Sequence, residues 1–357
     1  MRFVAHGNAA RKRTAHGHAA HAAAIGGICA LSFALTLALT LGAAQAQNAP
    51  YVMKITTPTI HAAPDIYATN FAAAVERDSG GRIKAQVYPA SQLGSIPRQI
   101  EGTQFGSIQA AVIPPEFFVG VDQRFEVLAA PGLVSSVEQG QRVAADPAVL
   151  KAMLGLGANK GLRGVGLFYA EPAEVVSKNP IRHLADFKGK KLRIFASEFQ
   201  SEAFERLGVT PVAMSPGDVL PAIQQGTLDG AAFGVQLLSG LHFYDSAKYV
   251  TMTSHSAIFI IVEVSKKWYE SLPPDLQKII DTDAAKEAVA INPQAVSILN
   301  GARKSWVDHG GELINLPPDE QAQMLKTVSS VGDDVTASKP AIKATYEIVK
   351  EAAQRSK

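Results

Sequence analysis

Polar and apolar residues alternate along Val52-Met53-Lys54-Ile55-Thr56, which predicts a short strand. A loop from Pro58 to Pro64 follows, with His61 in it, and Asp65 is placed to cap the next helix. Over residues 65–78 the period becomes helical: Tyr67, Phe71, Ala74 and Val75 share one face, and Ser79-Gly80-Gly81 stops the helix. Ile83 to Tyr88 alternates again, residues 97–106 read as a helix, and Ala110 to Ile113 as a short buried strand. Strand, helix, strand, helix, strand in this order predicts a parallel sheet with crossover helices.

The pattern restarts near residue 164. Val165–Tyr169 and Glu174–Ser177 read as two strands, and Leu184–Gly189 as a helical turn. Lys191–Phe195 is an alternating strand, and Ser197 is placed to cap a helix over 198–207 that Gly208 closes. A strand from Val209 to Met214 leads to a Ser215-capped helix ending at Gly226, then to a strand over Leu228–Phe233. This is a second α/β unit. Ile258–Val264 is a buried strand, and Pro273-Pro274 opens a long helix to about 309 with an expected kink at Pro293. Two more helices follow, one from Pro317-Pro318 and one over 339–356.

The start of the chain reads differently. Residues 1–24 carry Arg2, Arg11, Lys12 and Arg13 and no acid; Ile25 to Leu41 is an apolar run; Ala44-Gln45-Ala46 follows. A basic start, an apolar middle and an A-x-A exit make a secretory signal peptide, cleaved after about Ala46, and so an exported, periplasmic protein. An uncleaved anchor is the alternative, since the run is close to the roughly 20 residues of a membrane span. Cys29 has no lipobox around it.

Composition narrows the function. At 47% hydrophobic the chain buries enough apolar surface to fold. With 34 Lys+Arg against 32 Asp+Glu it lacks the basic excess of a nucleic-acid binder. Its single Cys excludes a disulfide framework and a Cys-based zinc site, and 357 residues suggest two domains. There is no G-x-S-x-G, no H-E-x-x-H, no Walker loop and no G-x-G-x-x-G after a strand. Two α/β units joined by more than one crossing enclose a cleft, and such sheets bind ligands beyond the carboxyl ends of their strands.

Several segments, in order, resemble one family. Gly189-Lys190-Lys191-Leu192-Arg193-Ile194, preceded by Pro180-Ile181 and Leu184-Ala185-Asp186-Phe187-Lys188, resembles its G-x-K-x-R-[VI] strand and the segment before it. Gln225-Gly226-Thr227-Leu228-Asp229-Gly230-Ala231 is similar to x-G-x-[VL]-D-G-A. Gly80-Gly81-Arg82-Ile83, Tyr88-Pro89 with Gln92-Leu93-Gly94, and Lys266-Lys267-Trp268 with Leu272-Pro273 also match. The family is the C4-dicarboxylate-type (DctP-type) solute-binding proteins of TRAP transporters. The resemblance runs from about residue 52 to 275.

It implies an α/β, two-lobed periplasmic binding protein fold of the type II kind, with lobes linked by crossing segments and a long helix. Residues 47–168 plus about 256–300 would form lobe 1 and residues 169–255 lobe 2. Residues from about 274 to 357 would pack across both. It implies a small organic acid as ligand, integral membrane TRAP subunits as partners, and no enzyme activity or cofactor.

The matching Arg of the family pairs with a carboxylate, which Arg193 suits because its planar fork binds carboxylates bidentately and stays charged. Strand alternation by itself also allows Arg193 to be merely solvated. A second Arg found upstream in some members is Ala173 here. Many members have Asn at Phe233; by likeness to D-G-x-x-F-P-W-E members, Phe233 would wall the ligand and Gln236 would hydrogen-bond it. The Trp and Glu of the calcium-binding members are absent, so no metal is expected. Tyr169, Glu171, Glu116, His61 and His255 lie at strand ends or loops near the expected cleft, each able to bond a ligand hydroxyl or oxo group. A single Arg and an apolar Phe233 point to a monocarboxylate, such as a 2-oxo, hydroxy or aromatic acid. The other classes to weigh are a periplasmic enzyme pairing His61 or His255 with Glu116 or Glu171, and a receptor presenting its ligand to a sensor.

Overall fold

The computed structural model describes residues 50–357, and the expected signal segment lies outside them. In chain order the elements are β1 (Tyr51–Thr56), α1 (Ala63–Asp78), β2 (Ile83–Tyr88), α2 (Ile96–Phe105) and β3 (Ala110–Ile113). Two 3-10 turns lead to α3 (Val137–Ala145), α4 (Pro147–Leu154) and β4 (Leu162–Ser177). Then come β5 (Lys191–Ile194), α5 (Glu198–Arg206), β6 (Thr210–Ala213), α6 (Pro216–Gln224), β7 (Gly230–Phe233) and α7 (Val235–Gly240). The chain closes with β8 (Tyr249–Ser265), α8 (Lys266–Ser271), α9 (Pro274–Asp308), β9 (Glu312–Ile314), α10 (Pro318–Val328), α11 (Val331–Thr336) and α12 (Pro340–Arg355).

All strands belong to one α/β sheet in the order β2-β1-β3-β8-β4-β7-β5-β6, with β9 beside β8. β1 runs parallel to β2 and β3, and β5 parallel to β6 and β7. Each end of the sheet is thus a small parallel unit, as the strand–helix order predicts. Between them run β4 and β8, antiparallel to each other over most of their length. Here the sequence reading needs correction. Residues 165–169 and 174–177 form one strand of 16 residues, and the strand expected at 258–264 is 17 residues long. The sheet therefore does not restart; two long strands carry it from one half to the other. Bulges at Gly164/Gly166, Tyr169/Glu171 and Ala173/Val175 break the alternation, and Ser254 in β8 has φ 44°.

Helix α9 lies across both halves. Its Ala284 carbonyl accepts from Tyr67 of α1 at 3.0 Å, and its Ala302 carbonyl accepts from Ser239 of α7 at 3.2 Å. It continues as one helix through Pro293. The carbonyl that Pro293 leaves without a donor belongs to Val289, on the solvent side of the helix. Two caps also differ. Asp65 sits inside the first turn of α1 and accepts the backbone N–H groups of Ala62 at 2.7 Å and His61 at 3.1 Å. At α5 the orphan donor is met from another element: Glu126 accepts the N–H of Glu198 at 2.7 Å and the hydroxyl of Ser197 at 3.2 Å.

Candidate functional site

Strand β5 lies between β6 and β7, and Arg193 is its third residue. The side chain is wholly buried, at 0% exposure, so it is no solvated edge cation. Its Nε donates to the Met214 carbonyl just past β6 at 2.9 Å, and its Nη1 donates to the Ala232 carbonyl of β7 at 2.8 Å. Both flanking strands thus fix the guanidinium at their carboxyl ends. Nη2 is buried with no hydrogen-bond partner. A buried cation carrying an unpaired donor is costly until an anion meets it. Burial pulls this guanidinium down to about 9, with the Glu116 carboxyl opposing the shift, so it is still a cation at neutral pH.

Three rings surround the guanidinium carbon: Phe233 at 4.1 Å, Phe195 at 4.7 Å and Phe117 at 5.8 Å. All three line a pocket reached from the first half by Pro58 and Pro114 and floored by Ile258 and Ile260 of β8. Phe195 stands edge-on to both Phe117 and Phe233. The cavity measures about 30 Å³, space for a water or two.

Of the expected residues, Phe233 and Glu116 lie near Arg193, and Glu171 lines the same pocket as Phe233. Glu171 lines the pocket, and its carboxyl accepts the N–H of Gln236 at the start of α7, at 3.0 Å. Burial pushes it up to about 8. Glu116 follows Pro114-Pro115; burial lifts its carboxyl to about 7, against the pull of its own backbone N–H and then of Arg193.

Gln236 joins elements. Its Oε1 accepts the N–H of Ala63 at the start of α1 at 2.8 Å, and its Nε2 donates to the carbonyls of Ala170 at 3.3 Å and Ala295 at 3.5 Å. One side chain thereby ties the first half, the crossing strand β4 and the long helix. Tyr169 is buried on the opposite face of β4 from Ala170, edge-on to Phe259 and lining a different pocket that includes Arg303. His255 is buried between Thr253 at 2.8 Å and Gln200 at 3.2 Å, and burial holds its ring down near 4. His61 is exposed, at φ 57°, in a third pocket with Gln236 and His309. These last three do not meet Arg193.

Sequence reasoning missed Phe195 and Phe117. Phe195 lies two residues beyond Arg193, which strand alternation places on the same side; Phe117 follows Glu116 and carries no such signal. Asp229 proves a packing element, its carboxylate accepting the Lys191 N–H at 2.7 Å. Among the described residues no cluster of His, Cys, Asp and Glu is built to hold a metal, and no helix is long and apolar enough to cross a membrane.

Two α/β halves on one sheet, with a buried cation at the seam between them, define a clamshell solute-binding protein. The model of the bacterial extracellular solute-binding proteins, family 7 (DctP), matches residues 62–339, and the chain belongs to that family. Its members are solute-binding proteins of transporters rather than enzymes. A relative, the uncharacterized protein YiiZ of Salmonella typhimurium, is 32% identical over 208 residues; the match covers 58% of this chain and 64% of that protein. Among solved structures, a TRAP periplasmic solute-binding protein from Desulfovibrio salexigens with bound orotic acid superposes with a TM-score of 0.80 at 22% identity, covering 86% of this chain and all of that one. The sugar acid binding protein DctPAm from Advenella mimigardefordensis, in complex with galactonate, gives 0.81 at 21% identity, covering 86% and 99%. These likenesses confirm the two-lobed α/β fold.

Proposed function

We propose that this protein captures a small organic acid between its two halves in the periplasm and delivers it to the membrane subunits of a TRAP-type transporter. The observation that carries the reading is Arg193: a fully buried guanidinium, held by two strand carbonyls, with Nη2 unpaired and three pocket-lining rings around its carbon. A carboxylate placed there gains a charge-assisted hydrogen bond in a water-poor site and relieves the cost of the buried cation. The orotate and galactonate held by the two structural relatives are both carboxylates, in keeping with this role.

Phe233, Phe195 and Phe117 wall the guest, and the buried carboxyls of Glu116 and Glu171, lifted toward their neutral forms, leave Arg193 as the charge that meets it. The hinge is assigned to the bulged stretch of β4 near Tyr169/Glu171 and to Ser254–Ser256 of β8, so that residues 169–255 move as the second lobe. Ligand binds the closed form more tightly and shifts the population toward it. Export with cleavage after about Ala46 places the protein where its membrane partner can receive the acid.

Calorimetry with a set of organic acids tests this. The protein is expected to bind one acid per chain without consuming it, and Arg193→Ala to lose that binding. Equal binding by Arg193→Ala would overturn the role of the guanidinium. Depletion of the acid over time would point to an enzyme instead.

A further inference from the structure

We infer that the guest is a monocarboxylate with an apolar body, aromatic or branched aliphatic, and that sugar acids and four-carbon dicarboxylates are poor ligands. This rests on the reading that Arg193 grips the carboxylate, and it follows from what surrounds that cation.

The pocket can compensate one negative charge. Arg193 is the cation that its aromatic walls enclose. Ala173 offers no second clamp; it is buried, and its carbonyl accepts from Thr253 at 3.2 Å. Arg303 lines a separate pocket with Tyr169 and Ala257, and its charge acts on the Glu171 and Glu174 carboxyls, so it is already matched by anionic groups of the protein. The other ionisable groups near the site, Glu116 and Glu171, are carboxyls. A second carboxylate on the guest would meet them rather than a cation.

The pocket also cannot serve many hydroxyls. Pro58, Pro64, Pro114 and Pro216 all line it, and a proline has no N–H to donate. The polar side chains in the lining are Thr59 and Glu171. The Thr59 hydroxyl shares one hydrogen bond with Thr57 at 3.1 Å, and one Glu171 oxygen accepts the Gln236 N–H, so little polar capacity is left for a guest with many hydroxyls. A polyhydroxylated acid would bury several hydroxyls without partners, each losing its hydration uncompensated. The remaining lining, including Leu237, Ile258 and Ile260, offers the opposite: apolar surface that rewards an apolar guest.

The test is a calorimetric comparison of phenylacetate, 3-methylbutanoate, succinate, D-galacturonate and the neutral isostere phenylacetamide. At least one of the two apolar acids is expected to bind about tenfold or more tighter than succinate and galacturonate. Phenylacetamide is expected to bind weakly or not at all. Succinate or galacturonate binding as tightly as the apolar acids, with Arg193→Ala abolishing it, overturns the inference and leaves the binding-protein reading standing. No detectable binding of any acid counts against both. Phe233→Leu is expected to keep the preference and Phe233→Asn to erode it by about tenfold. An unchanged preference in a folded Phe233→Asn protein, judged by circular dichroism, also overturns the inference. Should that variant fail to fold, the wild-type comparison alone decides.

Discussion

The guanidinium carbon of Arg193 stands 4.1 Å from the ring centroid of Phe233, while its Nη1 donates to the carbonyl of Ala232, the residue just before that ring. Strand β7 thus both holds the cation and shields it from water. The shield makes the unpaired Nη2 strong toward an anion and expensive without one.

Arg193→Met keeps much of the volume and removes the buried charge. Exchanging a buried ion for an apolar side chain of similar size is often neutral or stabilising. The expected outcome is an unchanged or higher melting temperature together with lost acid binding. A marked fall in stability would mean that the guanidinium chiefly serves the fold. Arg193→Lys keeps the charge but loses the fork, and about tenfold weaker binding is expected by calorimetry.

Glu116 gives the site a pH dependence. Its folded carboxyl titrates near 7, against an ordinary value of 4.5, because burial penalises its charged form. The folded state therefore binds the proton more tightly than the unfolded chain. This contribution to stability is complete below pH 4.5 and is lost as pH rises through about 7. Glu174, near 7, and Glu171, near 8, act in the same direction. His255 opposes them: its contribution is complete above 6.5 and is lost as pH falls through about 4. Melting temperature is expected to fall as pH rises from 4.5 to 7, and to fall less in Glu116→Gln. Ionised Glu116 also competes with the guest for Arg193, so wild-type affinity should weaken over the upper part of that range while the variant's does not. Parallel pH profiles for the two proteins would refute this assignment.

Gln236→Ala removes the acceptor of the Ala63 N–H and both amide donations that tie β4 and α9. A loss of about 1–3 kcal/mol in denaturant unfolding is expected, from the buried donor left unpaired. Acid affinity should weaken because closure is less favourable, while the ranking of acids stays the same. A changed ranking would place the Gln236 amide against the guest.

Two glycines give a paired test. A Cβ on Gly234 would overlap the Glu171 carboxyl, whereas one on Gly217, in the first turn of α6, meets open space. Gly234→Ala is expected to destabilise by about 1–3 kcal/mol. Gly217→Ala should be neutral or stabilising by up to about 1 kcal/mol. Thermal and denaturant unfolding of both variants decide it.

The small parallel units were legible because their strands and helices keep clean periods; β1, α1, β2 and β5 fall within about two residues of where alternation and the glycine stops put them. The long strands were not. Their bulges switch the facing of side chains in mid-strand, and burial on both faces removes the polar residues that would mark a period. Arg193 was legible from the motif around it, but its burial was not, because the Met214 and Ala232 carbonyls that hold it come from two other strand ends. Gln236 is read as a ligand contact by likeness to the family, and His255 by its place just before the strand expected at 258–264, which in the structure begins earlier and contains it. Apart from Thr253 beside His255, their partners, among them Ala63, Ala295 and Gln200, are 55 or more residues away and emerge only when the sheet is assembled.

The central claim is tested most directly by a crystal structure of the complex with the tightest-binding acid. A carboxylate oxygen is expected within about 3 Å of Arg193 Nη2, with Phe233 and Phe195 against the body of the guest. A guest held elsewhere, with Nη2 still unpaired, would contradict it.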